Sequence, residues 1–128
     1  MSEKNDTVEK LEKVLKKLLI NNPDITVAII TSIEGLPILS IIPKKTDETI
    51  ISAMVSALLS LSERAVIDMK IGRFQQLFIE GIDGYLLVFE ALPAVLSVSA
   101  TKKAKLGLIF FECERTSHEI SQILKIKL

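Results

Sequence analysis

The stretch DETIISAMVSALLSLSERAVIDM, residues 47–69, decides how the rest of the chain is read. Between Glu48 and Glu63 it carries no charge, although 25% of the whole chain is charged. Ile51, Met54, Val55, Leu58, Leu61 and Ala65 recur at helical spacing and make one apolar stripe. A helix on a protein surface turns charges toward water on its other side. Here that side holds Ser52, Ala53, Ser56, Ala57 and Ser60, with Ile50 and Leu59 beside them. Small side chains let another backbone come close. The pattern therefore predicts a helix over about 47–69 that is packed on both sides, its bulky stripe on the chain's own sheet and its small side on a second copy.

Working outward, 128 residues amount to one domain, 1–128, with enough chain to bury most of its surface on folding. Sixteen basic residues balance sixteen acidic ones, which argues against nucleic acid, a partner that requires a basic face. The lysines at Lys10–Lys17 alternate with glutamates and read as the solvated side of a helix. A single cysteine, Cys113, excludes an internal disulfide and points to a reducing cytoplasm. The polar N-terminus does not resemble a signal peptide, and the uncharged run 49–62 is too short to span a bilayer, so no membrane insertion is expected.

On the N-terminal side, Asp6 and Glu9 form a capping box for a helix over about 7–21, with Val8, Leu11, Leu15, Leu18 and Leu19 as its apolar stripe. Pro23 ends it. ITVAIIT from Ile25 is nearly continuous in apolar residues, as a strand buried on both faces is. Ile33-Glu34-Gly35-Leu36 turns the chain into a second strand, PILSII, where Pro37 suits a strand start or an edge. Pro43-Lys44-Lys45-Thr46 leads into the central helix, capped by Thr46 or Asp47.

On the C-terminal side, a third strand is expected over Arg73–Glu80. The Asp83-Gly84 pair between apolar runs signals a hairpin, and YLLVFEA returns as the fourth strand. AVLSVSA, beyond Pro93, is the fifth. A last helix, about 105–124, has Leu106, Phe110, Cys113, Ser117, Ile120 and Leu124 on its stripe; Glu112, Glu114, Arg115, Glu119 and Gln122 face away. Leu108 and Phe111 widen its apolar side. The expectation is an α/β three-layer sandwich: a five-stranded antiparallel sheet, with the helix 47–69 on one face and the other two helices opposite.

Enzyme signatures are missing. No Walker phosphate loop and no Gly-x-Gly-x-x-Gly after a strand are present, and one histidine with one cysteine cannot complete an ordinary zinc site. Cys113 and His118 lie about 140° apart on one helix and cannot act as a pair. Asp83 is explained by its turn and Glu80 by a strand end. No cofactor or metal is expected. Of the three arginines, Arg64, Arg73 and Arg115, the first two flank the predicted contact surface.

Taken together, the hairpin ITVAIITSIEGLPIL, the small-residue uncharged helix with the strand after Gly72, and AVLSVSATKKAKLGLIFFECER resemble the roadblock / dynein light chain family, most of all its stand-alone prokaryotic members. The resemblance covers about Val8 to Leu124; longin-like and profilin-like folds share a related layout. It implies a homodimer formed by third strands aligned edge to edge and second helices packed together, and a Ras-like small GTPase as partner. It carries over no catalytic residue. The surfaces it points to are Ser52, Ser56, Ser60 and Arg64 on the helix, with Leu59 beside them, and Arg73, Gln75 and Leu77 on the strand. The expected function is a non-catalytic homodimeric regulator or scaffold. The alternative is a structural subunit that forms a heterodimer or clamps a peptide by strand addition.

Overall fold

The computed structural model describes residues 3–43 and 46–126; Met1, Ser2, Lys44, Lys45, Lys127 and Leu128 lie outside them. Three helices, α1 (Glu3–Asn21), α2 (Glu48–Asp68) and α3 (Leu106–Ile126), surround five strands: β1 (Ile25–Ser32), β2 (Pro37–Ile41), β3 (Gln76–Glu80), β4 (Gly84–Ala91) and β5 (Ala94–Thr101). The strands form one antiparallel sheet in the order β2-β1-β5-β4-β3. β5 lies at the centre between β1 and β4, and its successive residues Ala94–Val98 are all buried, so both its faces are covered.

Alternation along the strands divides the core. Ala28, Ile30, Leu87, Phe89, Leu96 and Val98 face α1 and α3, meeting Leu11, Leu15 and Leu18 from the first and Ile109, Cys113 and Ile120 from the second. Val88 and Val95 point the other way and meet Val55 and Leu59 of α2, with Phe74 closing the end. This is the three-layer sandwich that the pattern predicts. α2 begins where Asp47 accepts hydrogen bonds from the amides of Thr49 (2.9 Å) and Ile50 (3.3 Å).

The structure corrects several local expectations. α1 starts at Glu3, ahead of the expected cap, so Asp6 lies inside the helix and pairs with Lys10 at 3.7 Å. Glu112 does not face solvent. It is buried, accepting from the Asn22 amide at 3.3 Å and from Arg115 at 3.0 Å. That link ties the end of α1 to α3 and supplies the polar partners a buried carboxylate requires. β3 is shorter than expected, because residues 73–75 leave the sheet to let Phe74 enter the core beneath α2.

Candidate partner interface

Which way α2 faces determines the surface this protein offers. Its buried residues are Ser52, Val55 and Leu59, with Ile51 and Val66 packed beside them. Ser52 (0% exposed) and Leu59 (2%) are therefore core residues, not partner contacts as their place in the sequence implied. Conversely Met54 and Leu61, read as sheet-facing, are 47% and 68% exposed, and Ala65 is exposed as well. The helix is rotated from its expected setting by less than the ~100° that separates successive residues.

The cause is the chain's own β1–β2 turn. Gly35, at φ +94°, lies so close to α2 that a Cβ on it would meet the Ser56 Cβ at 2.8 Å and the Ser52 carbonyl at 3.1 Å. Ser56 is half-buried there and donates to the Ile33 carbonyl at 2.8 Å. The small residues do let a backbone approach, and it belongs to the hairpin of the same chain.

What remains outside is still apolar. Ile50 (65% exposed), Met54 and Leu61 stand beside exposed Ala53, Ala57 and Ser60. Arg64 bounds this face and is held by Asp68 at 2.9 Å. In the last turn of the helix Ile67, and past it Met69 and Ile71, are each about two-thirds or more exposed. α2 has the length and composition to cross a membrane, which the short uncharged run alone did not predict, but Val55 and Leu59 hold its inner side on the sheet.

The second surface adjoins it. β3 pairs only with β4, which leaves its outer edge open. Leu77 is half-buried on the α2 side, while Ile79, 39% exposed, shares that face. Arg73 and Gln75, expected within this strand, precede it and are exposed. The other edge, β2, is short and bracketed by Pro37 and Pro43, a common protection against strand addition. The β3 edge has no proline. On the face opposite α2, Phe78 stacks on Tyr85 (centroids 5.6 Å apart) and tilts against Phe110 (5.6 Å). The sequence reading missed Phe78 and Ile79 as surface residues. Edge position, which a single sequence does not record, is what exposes them.

Charge gathers where residues 73–75 peel away. A groove of about 430 Å³ opens there among Arg73, Gln75, Glu90, Glu114, His118 and Lys125. Arg73 approaches Glu90 at 3.8 Å. Burial pushes the Glu90 carboxyl above its ordinary range; Arg73 opposes the shift and Glu63 adds to it. Cys113 is buried between α3 and the sheet, and burial, with Glu112 adding to it, raises its thiol to about 12. Among the described residues no cluster of His, Cys, Asp and Glu could hold a metal ion.

These features define the class: a three-layer α/β domain whose second helix leaves an apolar side exposed beside an open strand edge. Residues 11–100 match the Roadblock/LC7 domain, and the chain belongs to that family. It is 33% identical over 87 residues to each of two uncharacterized proteins of Methanocaldococcus jannaschii, MJ1340 and MJ0310, covering 68% of this chain and 76% of theirs. A third protein of that organism, MJ0714, is 32% identical over 87 residues, covering 68% of this chain and 74% of its own.

Solved structures share the fold. MglB in a tetrameric arrangement superposes with a TM-score of 0.87 at 20% identity, covering 95% of this chain and 93% of that one. Myxococcus xanthus MglB gives 0.83 at 19%, covering 91% and 95%. A Roadblock/LC7 domain from Streptomyces avermitilis gives 0.79 at 23%, covering 86% and 93%.

Proposed function

We propose that this chain is a homodimeric, non-catalytic regulator or scaffold for a Ras-like small GTPase. The observation that carries the reading is the exposed apolar outer side of α2 together with the open edge of β3. Monomers rarely leave such a patch uncovered. A two-fold contact covers both parts at once, because in an isologous interface each copy supplies the same surface. The GTPase partner follows from what the roadblock resemblance implies. The dimer would act as a platform that holds switch segments in one ordering, shifting their population without supplying a reacting group.

Light scattering on the purified protein, followed by binding and hydrolysis assays with nucleotide-loaded small GTPases of its source organism, tests both parts. A dimer that binds at least one of them, in a manner sensitive to Ala57→Arg on the exposed side of α2, is the expected result. Failure to bind any of them sinks the GTPase role.

A heterodimer with a paralogue is the second reading. It is favoured by the presence of three relatives within one organism. Co-expression with other Roadblock/LC7 proteins of its source organism, followed by native mass spectrometry, separates it from the homodimer.

A further inference from the structure

We propose that the end of the sandwich where α1 stops and α3 starts docks on the surface of an anionic lipid membrane, without crossing it. Three chain reversals gather at that end. The Thr101 amide at the end of β5 donates to the Asp24 carbonyl at 2.9 Å, beside the start of β1. Asn22, just past α1, donates to Glu112 of α3 at 3.3 Å. Lys102 reaches the β3–β4 hairpin, where it pairs with Glu80 and lies 4.7 Å from the Tyr85 ring centroid.

Large apolar side chains stand out singly here. Ile20 is 77% exposed on the last turn of α1, and Leu108 and Phe111 are 52% and 61% exposed on the first turns of α3. Ile82, at the hairpin tip, is 92% exposed. At ~100° per residue, Ile20 is turned away from the buried stripe Leu11, Leu15 and Leu18, and Phe111 from Ile109, Cys113 and Ile120. These side chains rise from three separate elements and do not wall a groove.

Cations surround them. Lys13, Lys17, Lys103 and Lys105 are exposed and make no ion pair among the described residues. The carboxylates at this end are already engaged. Glu112 is buried on Asn22 and Arg115, and Asp24 accepts from the Thr101 hydroxyl at 3.2 Å. Glu80 pairs with Lys102, on which the Asp83 charge also acts. α3 has no acidic residue in its first turn, and Lys105 before it offers no side-chain acceptor to the free amides. The positive end of the helix therefore adds to the lysines. A chain of zero net charge thus presents uncompensated positive charge at one end.

This combination fits a bilayer better than a protein. A protein partner covers a contiguous patch whose centre is poor in lysine. An anionic membrane attracts each surface lysine separately, and its interface takes up apolar side chains flanked by such charges. Ile20, Leu108 and Phe111 belong to the helix layer opposite α2, so docking leaves the outer side of α2 free for a protein partner.

Vesicle co-sedimentation of the full chain tests the proposal. The protein should bind vesicles of equal parts phosphatidylcholine and phosphatidylglycerol, ignore phosphatidylcholine alone, and be released by raised salt. Replacing both Lys103 and Lys105 with glutamine should weaken binding roughly 30-fold, from about fivefold per lysine. Phe111→Ser should weaken it about tenfold or more. Thermal melts matching the native chain check that both variants are folded. The chain has no tryptophan, so an introduced one reports its own surroundings. Phe111→Trp should keep binding and shift its emission to the blue on the anionic vesicles, whereas Leu61→Trp on α2 should not respond to them. No binding to the anionic vesicles, or equal binding to both kinds, overturns the proposal. So does binding that the lysine and Phe111 variants leave unchanged, or a vesicle-dependent shift at position 61 in place of 111. Equal affinity for polyglutamate would mark the surface as one for an acidic protein and overturn the lipid assignment as well.

Discussion

Replacing Leu59 with alanine tests the two-sided reading of α2 most sharply, because the sequence and the structure give opposite answers for that residue. Leu59 is 2% exposed and packs with Val55, Phe74, Val88 and Val95. Removing its outer carbons forfeits their burial and leaves a cavity, which together cost about 2–5 kcal/mol for a leucine in a core. A 128-residue domain has roughly 6–19 kcal/mol of stability to lose, so the variant folds and the loss is measurable.

The matched control is Leu61→Ala, two residues on and 68% exposed. Within the monomer it should change stability by less than about 0.5 kcal/mol. In the proposed dimer the same leucine would be buried once on each copy. Losing about 1–2 kcal/mol of burial per copy weakens association by roughly 30- to 1000-fold. Urea unfolding at several protein concentrations separates the two effects: Leu59→Ala lowers stability at every concentration, and Leu61→Ala lowers it only where the dimer is populated. A neutral Leu59→Ala beside a concentration-independent loss in Leu61→Ala would refute the assignment of faces.

Other outcomes follow from the same structure. Gly35→Ala is expected to cost more than the ~1–2 kcal/mol of left-handed strain alone, since its Cβ would also meet Ser56 at 2.8 Å; a neutral result in urea unfolding would contradict the hairpin's seat on α2. Because burial raises the folded Glu90 carboxyl above its value in the unfolded chain, folding binds its proton more tightly, and that contribution is full at low pH and lost as pH rises through the folded value. Glu90→Gln should accordingly be more stable than the native chain near pH 7, with the advantage fading toward pH 4, in paired thermal melts. The Cys113 thiol, pushed up to about 12, should resist a disulfide reagent at pH 8 in the native state and react on unfolding.

Much of the architecture was readable from local rules. Strand alternation, the Asp83-Gly84 hairpin and the apolar stripes of α1 and α3 each depend on neighbours within a few residues, and the observed elements follow them. The errors arose where a distant segment decides. Ser52 and Ser56 carry the small-residue signature of a close backbone approach, but nothing in residues 47–69 records that the approaching backbone is Gly35. Glu112 looks like a surface carboxylate until Asn22, ninety positions away, gives it a partner. Arg73 and Gln75 continue the β-like run in sequence, and only the demand of Phe74 for the core draws them off the sheet. The outward side of α2 was rightly expected to be uncharged, because composition alone carries that information.

The central claim is that α2 and β3 make this chain a dimer. Multi-angle light scattering at micromolar concentration, on the native protein and on Ala57→Arg, addresses it directly. The account predicts twice the 14.2 kDa chain mass for the native protein, and a folded species of one chain mass for the variant. A native protein that elutes at a single chain mass, or a variant that remains dimeric, would contradict it.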